Sequence, residues 1–167
     1  MITDMRKLFV LLFLLAYSLI LTAGADSAAC TIGSPAPGLE LDDLKGTTVS
    51  LQNYLQKKPV IITFFTSWSK SCQSELSDLQ EIYDGKSPKA EIIGVAFDKK
   101  TSELKNFIAA NSLSFPIIAD KRLSLIDNFQ ITIIPTTICI NRDGIIEKIF
   151  LDYDDNVKKA VLDWLRS

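Results

Sequence analysis

The sequence contains no histidine. Histidine is the side chain that most often serves enzymes as a general base and metal sites as a ligand, so its absence excludes the commonest forms of both. Cysteine is scarce as well, and Cys30, Cys72 and Cys139 lie far apart in the chain. This spacing argues against a zinc knuckle and against a disulfide-rich scaffold. We therefore predict no metal site and no cofactor.

A strong charge of either sign is also missing. The 18 basic residues are interspersed with 20 acidic ones, no basic block occurs, and the net charge is −2. The chain therefore gives no indication of a nucleic-acid surface. Hydrophobic residues make up 47% and charged residues 23% of its 167 positions. This balance predicts one ordinary globular domain with a packed core.

The start of the chain has the composition of a targeting segment. Arg6 and Lys7 precede an almost wholly apolar run, Leu8–Leu21, and small residues follow up to Ala25. This order predicts a signal peptide over residues 1–25 and a single domain over residues 26–167.

Two alternatives for this segment remain open. The apolar run approaches the length of a membrane span, so residues 1–25 could stay uncut as an N-terminal anchor. Ser27-Ala28-Ala29-Cys30 also faintly resembles a bacterial lipobox, in which Cys30 would carry a lipid. All three interpretations predict that the domain is exported, to the periplasm or the outer face of the cytoplasmic membrane, where disulfides persist.

Hydrophobic patterning beyond the leading arm predicts alternating strands and helices. The first strong strand, Val60–Phe65, is continuously apolar and is therefore expected to be buried on both faces. A helix follows over Lys70–Tyr83 with its apolar residues on one side. Further on, Asp143-Gly144 favours a hairpin turn between the last two strands. The whole order, β-α-β-α-β-α-β-β-α, predicts a mixed sheet with helices on both faces.

The junction between the first strong strand and its helix carries the most informative residues. Trp68 is followed by Ser69, whose hydroxyl is placed to cap the helix by accepting the Cys72 amide N–H. Cys72 then lies in the first turn, where the helix dipole and Lys70 favour a thiolate. Burial under Trp68 would raise the thiol pKa instead, and the sequence leaves the net sign open.

Several short motifs occur in order and at plausible spacing along the chain. They are Pro35-Ala36-Pro37, Leu41 to Gly46, Pro59 to Trp68, Ile92 to Val95, Phe115-Pro116-Ile117, Ile134-Pro135-Thr136-Thr137 and Asp143-Gly144. Together they resemble the thioredoxin-like superfamily and, within it, the TlpA/ResA-type thiol–disulfide oxidoreductases of bacterial envelopes, over nearly all of residues 34–150. The resemblance implies a thioredoxin fold, with a central mixed sheet flanked by helices and the extra strand and helix of the TlpA/ResA type.

The same resemblance assigns roles within the site. Ser69 occupies the position of the exposed nucleophilic cysteine, and Cys72 that of the second, more buried one. Thr63 stands where thioredoxins often carry a buried acid. Pro135 would be the cis-proline that faces the helix, although a trans proline opening an edge strand is the alternative. The implied catalytic set is Cys72, Ser69 and Pro135, and the implied substrate-binding set is Trp68, Lys70, Ile134 and Thr136.

Three functional hypotheses follow for this site. The first is thiol–disulfide exchange with protein thiols or disulfides of the envelope through the single thiol of Cys72. The second is peroxide reduction, because Ser69-x-x-Cys72 is similar to the peroxiredoxin pattern, although Phe65 stands where that pattern has proline. The third is a non-catalytic binding module that keeps the peptide groove without the dithiol.

The remaining candidate residues are expected to be structural. Cys139, in an alternating strand, is predicted to be a buried core residue, and Cys30 to lie in a mobile arm. Glu75 and Asp98 are the acids nearest the motif, and both are predicted to be solvated surface charges.

Overall fold

The computed structural model describes residues 30–85 and 89–166. The predicted signal peptide or anchor, residues 1–25, lies outside these residues, as does the start of the predicted 26–167 domain. In the described part of the chain, no helix is both long and apolar enough to cross a membrane.

A five-stranded mixed sheet forms the centre of the domain and confirms the predicted fold. Its spatial order is β5-β4-β3-β6-β7, in which β4 and β5 run parallel to β3 while β6 and β7 form antiparallel pairs. A separate antiparallel pair, β1 with β2, precedes it. The strands are β1 Glu40–Asp42, β2 Thr48–Ser50, β3 Val60–Phe65, β4 Glu91–Ala96, β5 Ile117–Ala119, β6 Thr136–Ile140 and β7 Ile146–Leu151.

The described residues form four α-helices around the sheet: α1 Lys70–Tyr83, α2 Thr101–Ala110, α3 Ser124–Asn128 and α4 Asp155–Trp164. The predicted bounds of β3 and α1 are confirmed to the residue. The residue before the first turn of α2 is Lys100, and no side chain caps this helix.

Both faces of the sheet are buried, as the apolar run of β3 predicts. All six residues of β3 and all six of β4 are buried. Alternate side chains feed two separate core clusters, one containing Ile62 and Phe64 and the other containing Ile61, Phe65 and Cys72. Because successive side chains of a strand point to opposite faces, one short strand supports both cores.

The last helix is tied to α1 by polar contacts at the surface. Asp78 of α1 accepts a hydrogen bond from Tyr153 Oη at 2.7 Å and pairs with Lys158 Nζ at 2.7 Å. The Asp154 side chain caps α4 by accepting the Val157 amide N–H. These contacts hold α4 against the outer side of the helix that carries Cys72.

Cys30 does not lie free in a mobile arm as predicted. It is half-buried and packs against the core cluster on the face of the sheet opposite Cys72. The backbone beside it is fixed because Gly33 donates to the Ile146 carbonyl at 2.8 Å and Ala36 to the Gly144 carbonyl at 2.8 Å. The leading segment therefore packs along the turn that joins β6 to β7.

Candidate functional site

The site is built around the start of α1, immediately after the central strand. Ser69 is the N-cap residue, with extended backbone angles, and its Oγ accepts the Cys72 amide N–H at 3.5 Å. This contact confirms the capping role predicted for Ser69. The cap leaves Cys72 in the first turn of the helix, close to the end of β3.

The Cys72 side chain is completely buried in this structure. Burial raises the pKa of its thiol, and the nearby Glu75 carboxylate raises it further, whereas the polar groups of Ser69 and Thr66 near the sulfur lower it. Burial is the largest of these effects, so the sign that the sequence left open is a raised pKa. The burial does not come from Trp68, which is 77% exposed, but from the core cluster that Cys72 joins.

Glu75 lies one helical turn beyond Cys72 and is only 1% exposed. Its Oε2 accepts a hydrogen bond from Thr63 Oγ1 at 2.8 Å, and its Oε1 accepts one from Thr137 Oγ1. Thr63 and Thr137 are direct partners on the neighbouring strands β3 and β6. The prediction that Glu75 is a solvated surface charge is therefore wrong, because two cross-strand hydroxyls hold its carboxyl inside the domain.

This arrangement gives Thr63 a role beside an acid. The resemblance to thioredoxins implies that Thr63 stands in place of a buried acid, and in the structure the buried acid is Glu75 of α1. Burial raises the pKa of Glu75 from 4.5 to about 7, against the lowering effect of its two threonine partners. The sequence contains one indication that Glu75 is buried. Residues three apart on a helix share a face, and Glu75 follows the buried Cys72 by three positions.

Asp98 is also buried, at 8% exposure, which corrects its prediction as a surface charge. It accepts the Ser67 amide N–H at 3.0 Å and the Ser67 hydroxyl. Gln73 Nε2 donates to the Ser67 carbonyl at 2.8 Å from the other side. The short segment between β3 and α1 is therefore held from two directions.

The loop that carries Pro135 meets the start of α1. The Ile134–Pro135 peptide bond is cis, and Pro135 is buried. The Pro135 carbonyl accepts the Asp152 amide N–H at 2.8 Å, and the Asp152 carboxylate accepts the Ser71 hydroxyl at 2.6 Å. Asp152 thus connects the helix start to the proline loop.

The four predicted substrate-binding residues occupy different environments. Trp68 and Lys70 are exposed at the start of α1. Ile134 is half-buried and packs against the core cluster that contains Cys72. Thr136 is 2% exposed, its hydroxyl donates to the Ile133 carbonyl at 2.7 Å, and it is paired with Phe64 and Leu151 on the neighbouring strands.

The other cysteines lie away from this arrangement. Cys139 is fully buried in β6, which confirms the predicted core role, and its thiol pKa is raised far above the ordinary value by burial. Cys30, Cys72 and Cys139 are all free thiols in the described part of the chain. Within the same residues, no group of three or more histidine, cysteine or acidic side chains is arranged to hold a metal ion.

Comparison with known proteins identifies the family of this chain and its relatives. The model of the AhpC/TSA family matches residues 32–149. The thiol–disulfide oxidoreductase ResA of Bacillus cereus is 33% identical over 127 residues, which cover 75% of this chain and 73% of that protein.

Solved structures show the same fold. StoA from Bacillus subtilis superimposes with a TM-score of 0.64 at 28% identity, covering 77% of this chain and 98% of that one. The thioredoxin domain of a thiol–disulfide oxidoreductase from Bacteroides vulgatus gives a TM-score of 0.69 at 24% identity, covering 81% and 98%. At that lower identity the second likeness is one of fold.

Proposed function

Since the chain belongs to the AhpC/TSA family and is related to the ResA thiol–disulfide oxidoreductases, we propose that it exchanges disulfides with proteins of the cell envelope through the single thiol of Cys72. The observation that carries the proposal is the position of Cys72. It is the sulfur at the start of α1, beside Glu75 and the Pro135 loop, and Ser69 stands at the first cysteine position.

A single thiol limits the chemistry to exchange. The Cys72 thiolate attacks one sulfur of a client disulfide, forms a mixed disulfide and releases the other client sulfur as a thiolate. A second thiol, from the client or from another protein, then attacks the mixed disulfide and restores Cys72. One disulfide is consumed and one is formed, so the cycle moves disulfides between partners without net oxidation or reduction. Ser69 takes no part as a nucleophile, because a hydroxyl cannot form a disulfide.

Glu75 is placed to accept the proton that Cys72 loses. The two side chains lie one turn apart on α1, and the raised pKa of the Glu75 carboxyl, about 7, lets it gain or release a proton near neutral pH. A base with a pKa near the operating pH is effective in proton transfer. Thr63 and Thr137 keep this carboxyl fixed whether or not it is ionised.

Client proteins would dock on the exposed side of the helix start. Trp68 offers a large apolar surface at 77% exposure, Lys70 follows two residues later, and Ile133 in the proline loop is 45% exposed. Ile134 packs against the core cluster that contains the buried cysteine. Because Cys72 is fully buried, docking has to expose its thiol before the two sulfurs can meet.

The proposed location rests on the N-terminal segment. Residues 1–25 have the order of a signal peptide or anchor, and the alternative lipid attachment at Cys30 leads to the same compartment. An exported domain meets protein thiols and disulfides that persist there. The proposed partners are therefore proteins of the periplasm or of the outer face of the cytoplasmic membrane.

A disulfide-trapping experiment tests the proposal. The full chain is incubated with a peptide carrying an activated mixed disulfide, and adducts are located by mass spectrometry in the native protein, with Cys139→Ala and Cys72→Ala as matched variants. An adduct on Cys72 that a second thiol releases is expected in the native chain and in Cys139→Ala. A Cys72 that reacts only after denaturation would refute exchange.

The second candidate function is peptide binding without chemistry. The observation that favours it is the complete burial of Cys72 together with its raised thiol pKa. Binding of a reduced, unfolded peptide that is equally tight in native protein and in Cys72→Ala would support this function over exchange. Peroxide reduction gains less support, because the groups that act on the Cys72 thiol among the described residues are Ser69, Thr66 and Glu75, none of them cationic.

A further inference from the structure

Thr66 has an unusual environment at the end of the central strand. It directly follows β3 and is 4% exposed. Among the described residues, its Oγ1 is the one buried side-chain oxygen or nitrogen that has no hydrogen-bond partner. A buried hydroxyl without a partner is unfavourable, because it has given up its hydrogen bonds to water. Such a group calls for an explanation in terms of what it could bind.

The backbone around Thr66 is held so that the side chain stays inside. Ser67, the next residue, is fixed by Asp98 on one side and by Gln73 on the other. On the strand side, the Phe65 carbonyl accepts the Phe97 amide N–H at 3.1 Å. Thr66 therefore lies between two anchored residues.

The group within reach of Thr66 is the thiol of Cys72. Thr66 lies near enough to this sulfur that its backbone and its hydroxyl both favour the ionised form and lower the pKa of the Cys72 thiol. A neutral thiol is a weak acceptor, whereas a thiolate is a strong one. The Thr66 hydroxyl, which donates no hydrogen bond in the resting protein, would therefore donate one to the Cys72 thiolate.

We propose that the Thr66 hydroxyl is a catalytic hydrogen-bond donor to the Cys72 sulfur. It makes no hydrogen bond while Cys72 is a neutral thiol, and it donates one to the sulfur when Cys72 becomes a thiolate. The inference deepens the proposed function, on which it rests for its biological meaning. In exchange, the proton leaves Cys72 for Glu75, and the Thr66 O–H turns to the sulfur that has become anionic. When a second thiol later displaces Cys72 from the mixed disulfide, the same donor stabilises it as the leaving thiolate.

The other groups around the pair act in known directions. Glu75, from the same helix, opposes ionisation of Cys72 once it is itself charged, and the Ser69 hydroxyl favours ionisation. Asp152 affects Cys72 only indirectly, because its charge adds to the effect of burial in raising the pKa of Glu75. Burial is the main cause of the raised pKa of the Cys139 thiol and of the Tyr153 hydroxyl, and the charge of Glu75 raises both further. Thr66, like Ser69 and unlike Glu75 and Asp152, is neutral, so its effect does not depend on its own titration.

Replacing Thr66 by valine should have two effects, one on the stability of the protein and one on the pKa of the Cys72 thiol. Valine has nearly the same shape and removes the unpartnered hydroxyl, so the melting temperature at mildly acidic pH should stay the same or rise. The thiolate loses its donor, so the pKa of Cys72 should rise by about one unit, which is about a tenfold lower thiolate fraction at a fixed pH below the pKa. A merely structural threonine would give neither the rise in pKa nor this combination.

The experiment titrates Cys72 by its far-ultraviolet thiolate absorbance, which needs no access for a reagent. The full chain is compared with Thr66→Val, Thr66→Ser and Thr132→Val, an exposed threonine of the proline loop, and Cys72→Ala supplies the background. The higher thiol pKa should occur in Thr66→Val alone, with Thr66→Ser close to the native protein.

An unchanged thiol pKa in Thr66→Val, or an equal change in Thr66→Ser, would overturn the inference. A failure of this inference can be told apart from a failure of the proposed function. The titration measures whether Thr66 donates to the Cys72 thiolate, whereas disulfide trapping measures whether Cys72 exchanges disulfides. A higher thiol pKa in Thr66→Val, in a protein that traps no peptide, would support the hydrogen-bond donor and reject disulfide exchange.

Discussion

Thr63 Oγ1 of the central strand donates a hydrogen bond of 2.8 Å to Glu75 Oε2 of the first helix, inside the domain. The contact joins the strand that leads into the site with the helix that carries its cysteine. It also explains how a carboxyl group is tolerated there, since buried polar groups are stable only when hydrogen-bonded. The hydrogen bond between Thr63 and Glu75 therefore links β3 to α1 and also fixes the carboxyl group that is the candidate proton acceptor.

The buried carboxyl predicts an unusual pH dependence of stability. The pKa of Glu75 rises from 4.5 in the unfolded chain to about 7 in the folded one. Between these values the folded state holds a proton that the unfolded state has lost, so this group's stabilisation is complete below about pH 4.5 and is lost as pH rises to about 7. The loss is on the order of 3 kcal/mol at 1.36 kcal/mol per pKa unit.

Glu75→Gln should abolish this part of the pH dependence, because an amide keeps the contacts with Thr63 and Thr137 but does not ionise between pH 5 and 8. Thermal unfolding followed across that range checks it. Glu40→Gln, at an exposed carboxylate in β1, is the matched control and should keep the native slope. Parallel curves for native protein and Glu75→Gln would show that Glu75 does not titrate as described.

Ser69→Cys should restore a dithiol motif and with it ordinary reductase chemistry. Ser69 and Cys72 are the cap and first-turn positions of α1, with the Ser69 hydroxyl already directed toward the cysteine residue. We expect an internal disulfide under oxidising conditions and catalysis of insulin reduction by a small dithiol. Ser69→Thr, which keeps the cap, is the control and should stay inactive. If Ser69→Cys fails to form the disulfide, the two positions are not equivalent to the dithiol pair of the related enzymes.

Trp68→Ala should weaken client binding without affecting folding. The side chain is 77% exposed, and surface substitutions away from packed features change stability by about 0.5 kcal/mol or less. An exposed indole is a typical binding anchor, so its loss should reduce peptide affinity by roughly tenfold or more. Isothermal titration with a reduced peptide and thermal unfolding give the two measurements.

Trp164→Ala provides the contrast to this variant. The Trp164 indole is half-buried and donates to Glu147 at 2.7 Å, so its removal should lower the melting temperature and leave peptide affinity unchanged. Equal affinity of the native protein and Trp68→Ala would place the docking surface elsewhere.

Asp152 should tolerate asparagine but not valine. Its backbone is left-handed, with φ of 63°, and its side chain accepts the Ser71 hydroxyl. Asparagine adopts this conformation and keeps an acceptor, whereas valine loses the bond and is strained, at a cost of about 1–3 kcal/mol. Denaturant unfolding of Asp152→Asn and Asp152→Val measures the difference, and similar stabilities would mean that the link to the proline loop carries little of the fold.

Sequence patterns predicted the local elements well because they depend on neighbours in the chain. The apolar run of β3 and the serine at the start of α1 are local signals, and the structure matches the expected bounds and the cap. The motif order also identified the superfamily and the place of Cys72 in it. The presence of one sulfur at this position, with Ser69 in place of its partner, is determined by the sequence alone.

The environment of that sulfur depends on contacts between distant parts of the chain. Glu75 and Asp98 look like surface acids in sequence, and only the packing of β3, β4 and β6 shows that both are buried and bonded. Thr66 carries no sequence signal at all, since an unpartnered hydroxyl is visible only once every neighbour is placed. The sequence therefore determined which groups are available for chemistry, and the tertiary structure decided their burial, their hydrogen bonds and hence their protonation.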